Sequence, residues 1–114
     1  MPELTTTELH VLLALGTGAS YGYRLQQQVE SESGGGLTPD IGALYRTLAR
    51  LMERGWVEEV DTPSREEEAS SPGRPRRWYG LSAVGRQVLA GEVGRLDSLV
   101  RLARERDIAP GRTG

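Results

Sequence analysis

The chain has 114 residues and a formal net charge of −2, enough for one domain with a small core and too little for two. It has no cysteine, which excludes disulfides, thiolate nucleophiles and sulfur-bound metals, and its single histidine, His10, has no second group at motif spacing to orient it as a base. No apolar run approaches the roughly 18 residues of a membrane span, and the N-terminus lacks the basic lead-in of an export signal, so the expectation is a cytoplasmic, non-enzymatic protein without metal or cofactor.

"TTTELHVLLALGTG" predicts a first helix. Thr5 and Glu8 have capping-box spacing, and Gly16 and Gly18 end the apolar run. "SYGYRLQQQVESESGGG" predicts a second helix with Ser20 as its N-cap and Tyr21, Leu25 and Val29 on one face. "TPDIGALYRTLARLMERG" is the clearest helix, capped by Thr38 or by Asp40 and stopped by Gly55. Its apolar stripe is Ile41, Leu44, Leu48 and Leu51, which leaves Arg46, Thr47, Arg50 and Arg54 to meet solvent or a partner.

"WVEEVD" predicts a strand, "TPSREEEASSPG" a polar loop with an acidic run, and "RPRRWYGLS" the returning strand. Period-two alternation puts Trp78 and Tyr79 on opposite faces, one inward and one at the rim. "SAVGRQVLAGEVGRLDSLVRLARERD" predicts a long helix whose Leu89, Val93, Leu96, Val100 and Ala103 step as a heptad seam. Helix, helix, helix, strand, strand, helix is the layout of a winged helix-turn-helix, a mainly α fold with a small β-hairpin. Residues 1–82 then form that domain, 83–107 the long C-terminal helix, to which the family resemblance given below assigns dimerisation, and 108–114 a frayed tail.

All 14 basic residues are arginines, and residues 73–86 carry +4 while residues 61–72 carry −3. Duplex DNA presents a dense line of phosphates, and guanidinium groups keep their charge and match phosphate with a planar donor fork. Arg74, Arg76 and Arg77 on the hairpin would clamp a DNA backbone. Arg46 and Arg50, one turn apart, would project from the third helix beside Tyr45 and Thr47, which can donate to phosphates or base edges. The bland alternative is a solvated face, with the hairpin arginines paired to Glu66–Glu68.

These stretches resemble a known family. "YGYRLQQQV" is similar to the "hGYeI" stretch of the PadR family of bacterial transcriptional regulators. "DIGALYRTLARLMERGWVEE" resembles that family's recognition-helix motif, and "GRPRRWYGLSAVGRQVL" its wing and exit motif. The resemblance implies a homodimeric winged helix-turn-helix repressor that reads a pseudo-palindromic operator. Gly42, Tyr45 and Arg50 match the recognition-helix motif, and Arg77 and Tyr79 match the wing. The family's threonine is Ala43 here, and its common serine is Asp40, which can cap the helix but repels phosphate.

The first helix, with Leu9 and Leu12, would join the seam from Leu89 to Ala103 in the dimer interface. A small hydrophobic effector at the dimer centre is the candidate ligand. No aromatic residue follows Tyr79, which argues against stacking a planar one. The alternative function is a winged-helix module for protein–protein contact without DNA binding, in keeping with the acidic balance.

Overall fold

The structure, a computed structural model, describes residues 4–61 and 77–108. In chain order the elements are α1 (Thr6–Leu15), β1 (Ser20–Tyr21), α2 (Gly22–Glu32), α3 (Ile41–Glu53), β2 (Val57–Val60), β3 (Trp78–Leu81) and α4 (Ala83–Glu105). The strands form one antiparallel sheet in the order β1-β3-β2. The fold is mainly helical with a small sheet, a winged helix-turn-helix.

Local chemistry explains most boundaries. Thr5 and Glu8 close a reciprocal capping box on α1, with Thr5 N–H donating to Glu8 Oε1 at 2.9 Å and Glu8 N–H to Thr5 Oγ1 at 3.1 Å. Asp40 accepts from Ala43 N–H at 2.7 Å at the start of α3, and Ser82 accepts from Gly85 N–H at 2.9 Å at the start of α4. Each such cap contributes about 0.5–2 kcal/mol. Helix α3 ends because Gly55 turns left-handed at φ 79°, so that Trp56 N–H reaches back to Leu51 O at 3.0 Å.

Ser20 is not the N-cap of α2. Its backbone pairs with Tyr79 in the sheet, and its hydroxyl accepts from Arg24 Nε at 3.1 Å. The residue before the helix is Tyr21, which makes no side-chain cap. The expected hairpin thus gains a third strand, with Tyr21 opposite Trp78.

That strand also overturns the expectation for Trp78 and Tyr79. Both are buried, at 2% and 3% exposure, because the sheet is covered on two sides. Tyr79 faces the helical core. Trp78 meets the Tyr21 ring edge-to-face at 5.0 Å, and the Arg24 guanidinium lies 5.0 Å from its centre.

The core is built from Val11, Leu12, Leu15, Leu25, Val29, Leu44, Leu48 and Leu51, all at most 1% exposed. Burying such a side chain stabilises the fold by about 1.5–3 kcal/mol. Helix α1 runs through the middle, with Glu8, Val11, Leu12, Ala14 and Leu15 all buried. Leu12, expected at a dimer interface, is 0% exposed within the chain's own core. Leu89 is likewise 9% exposed and part of that core, since the first turns of α4 pack on it.

Gly85 makes this packing possible. A β-carbon there would stand 2.7 Å from the Trp56 carbonyl carbon, so α4 crosses the α3–β2 turn at backbone contact.

Candidate nucleic-acid interface

Helical periodicity divides the surface of α3 into three parts. The side opposite the leucines carries Gly42, Arg46, Ala49 and Glu53, of which the last three are exposed. Arg46 forms no ion pair among the described residues. A β-carbon at Gly42 would stand 3.4 Å from both Arg46 Nη1 and Asp40 Oδ1, so the missing side chain leaves room for that guanidinium.

One flank carries Tyr45, 42% exposed, which lies over Gly22 at the start of α2. Tyr45 also lies within electrostatic range of the wing. Burial pushes the Tyr79 phenol above its usual range, a hydrogen bond from Arg77 pulls it down, and the field of Tyr45 is felt there as well. Tyr45, Tyr79 and Arg77 therefore share one neighbourhood, joining α3 to the foot of the hairpin. Arg77 Nε stands 3.8 Å from Glu59 Oε1, with both side chains more than half exposed. Such a surface pair is worth about 0–1 kcal/mol, so Arg77 can exchange it for a phosphate at little cost. Arg74, Arg76 and the acidic run Glu66–Glu68 lie outside the described residues.

On the other flank Arg50 and Arg54 are exposed as expected, but Thr47 is not. Thr47 is 4% exposed and donates its hydroxyl to Ala43 O at 3.1 Å, so it does not meet solvent. Arg50 turns away from Arg46 towards α1, where its Nε lies 3.6 Å from Glu8 Oε2, and its Nη2 donates to Thr47 Oγ1 at 3.3 Å. Arg54 Nη1 lies 3.8 Å from the same carboxylate oxygen, and its guanidinium stacks 5.0 Å from the Trp56 ring centre. Ala43, Thr47 and Arg50 line an open hollow of about 470 Å³ against Thr5, Leu37 and Pro39. Of the predicted α3 residues, the structure gathers Gly42 and Arg46 on the outer face, with Tyr45 on one flank and Arg50 on the other.

Glu8 is the residue that sequence reasoning missed here. Its cap was legible from spacing, but its arginine partners lie more than 40 positions away.

The second half of α4 has little of its own chain against it. Val93, Leu99, Val100 and Leu102 are 43%, 50%, 41% and 40% exposed, while Leu96 and Ala103 are half-buried. Leu13 of α1 is also open at 39%, next in the chain to Leu12 and one helical turn from Leu9. Leu9 is partly buried against the core. Among the described residues, no cluster of potential metal ligands and no helix able to cross a membrane is present.

Residues 11–91 match the transcriptional regulator PadR-like family. Many solved structures share the fold, among them the following three. A PadR family transcription regulator from Clostridium difficile aligns with TM-score 0.69 and 15% identity, covering 89% of this chain and 97% of that one. A PadR-like transcription factor from Bacteroides fragilis gives 0.67 and 21%, covering 86% of each. RosR of H. salinarum gives 0.66 and 22%, covering 93% and 90%. No curated protein matches the chain.

Proposed function

This chain belongs to the PadR-like family of transcriptional regulators, and from that membership we propose that it acts as a homodimeric repressor on a pseudo-palindromic DNA operator. Arg46 carries the reading. It is a cation without an ion pair among the described residues, on the outermost stripe of α3, and the neighbouring Tyr45 lies within electrostatic range of Tyr79 at the foot of the wing. An exposed helix face with a free guanidinium suits entry into a major groove, and the adjacent wing arginines suit the flanking backbone.

The dimer reading rests on α4. Val93, Leu99 and Val100 beyond Leu89 stand about half exposed on one broad face, and a second copy of the same helix would cover them. Residues 1–82 then form the DNA-binding domain, 83–107 the dimerisation helix, and the protein works in the cytoplasm. An effector held between the two α4 helices would be aliphatic, since Val93, Leu96 and Val100 line the seam without an aromatic ring.

Selection of bound duplexes from a random pool tests the proposal. The expected product is an inverted repeat whose half-sites are centred about 10 base pairs apart or a multiple of that. Recovery of no enriched sequence, with co-purification of a protein partner instead, would favour a protein-contact module.

A further inference from the structure

Glu8 has an unusual combination of properties. Its side chain is 3% exposed, yet it faces two arginines that are 49% and 43% exposed. A buried carboxylate must be compensated, and it cannot turn out to water because its other oxygen is fixed by the Thr5 backbone N–H. The mobile ends of these pairs are therefore the guanidinium groups. Arg50 would otherwise extend from α3 only 40° around the helix from Arg46, on the side that the proposed function presents to DNA. Instead it is drawn across the flank to α1 and held a second time by Thr47. Arg54 is drawn the same way and laid on Trp56.

We propose that Glu8 is a positioning residue for DNA recognition, tying Arg50 and Arg54 to α1 so that they do not engage phosphate indiscriminately. The inference rests on the DNA-binding reading above. Phosphate contacts add affinity to every duplex alike, whereas base contacts discriminate. Withholding two cations next to the reading face lowers affinity for operator and random DNA by a similar factor, which keeps the much more abundant non-operator binding weak.

Glu8→Gln isolates the effect, because glutamine at this position keeps the capping box while removing the charge. With scrambled duplex, the affinity of Glu8→Gln should rise, and its plot of log affinity against log salt should steepen by about 0.9 for each arginine released to a phosphate. Affinity for the operator should rise by a similar factor, so that the ratio of operator to scrambled affinity stays close to its original value. Glu8→Asp, which retains the charge, should stay close to the unsubstituted protein, and Glu8→Gln combined with Arg50→Ala should lose most of the gain. In the unsubstituted protein, the Arg50 Nε–H resonance should hold its position when duplex is added, while that of Arg46 moves. This last measurement stands even if the substituted proteins fail to fold. Salt-dependent binding that is identical in Glu8→Gln, or an Arg50 resonance that shifts with DNA as Arg46 does, would overturn the inference alone. Duplex binding that ignores salt in the unsubstituted protein would instead remove the DNA-binding reading beneath it.

Discussion

The ring of Tyr45 lies directly over Gly22, so that a β-carbon added to the glycine would come within 2.8 Å of the ring carbon bearing the hydroxyl. The two residues come from the separate sequence motifs "YGYRL" and "ALYRTL", and the contact explains why each motif needs the other. Gly22 is the bare backbone on which the tyrosine rests. Gly22→Ala should displace the ring without unfolding the domain, since Tyr45 is 42% exposed and can swing outward. The expected loss of stability is at the low end of about 1–3 kcal/mol for overpacking, while duplex affinity falls clearly. Thermal melts paired with fluorescence anisotropy separate the two effects.

Gly85 should behave differently, because the atoms in its way are the Trp56 backbone. Gly85→Ala has to push α4 off the α3–β2 turn. The loss should reach or exceed the upper end of about 1–3 kcal/mol, seen as a lower denaturation midpoint at an unchanged slope.

The apolar face of α4 carries the dimer proposal. Val100 is 41% exposed within one protomer, so Val100→Glu removes little from the monomer's own core. The variant should keep its helical circular dichroism and elute at half the mass of the unsubstituted protein in size exclusion with light scattering. An unchanged mass would place the subunit contact elsewhere.

Alkaline pH offers a clean test of the wing, since the chain has no lysine or cysteine to titrate beside Tyr79. Burial raises the Tyr79 phenol above 10.0, whereas the unfolded chain releases that proton at its ordinary value. Its contribution to stability is therefore complete below about pH 10 and is lost as pH rises through the folded value. The melting temperature of the unsubstituted protein should drop more steeply between about pH 9 and 11 than that of Tyr79→Phe.

What the sequence made legible was local. Thr5 with Glu8, Asp40 with Ala43, and Gly55 are interactions within one helical turn, and each marks a helix end where expected. The apolar stripe of α3 was readable for the same reason. Non-local relationships were not readable. Ser20 and Tyr21 look like the start of a helix, and only pairing with β3 makes them a strand. Trp78 was expected to alternate with Tyr79 between core and rim, but β1 and Arg24 cover the second face. Arg50 carries no sign in its neighbourhood that a buried carboxylate on α1 will claim it. Leu12 fits the apolar stripe of the first helix and Leu89 the heptad seam of the last, yet a central α1 and the first turns of α4 are interior in a chain this small.

The account turns on Arg46 reaching DNA from the outer stripe of α3. Titration of salt against affinity, with the selected operator and the unsubstituted and Arg46→Ala proteins side by side, tests this most directly. Log affinity should fall linearly with log salt, and Arg46→Ala should bind more weakly with a slope shallower by about 1. Identical lines for the two proteins, or an affinity indifferent to salt, would contradict it.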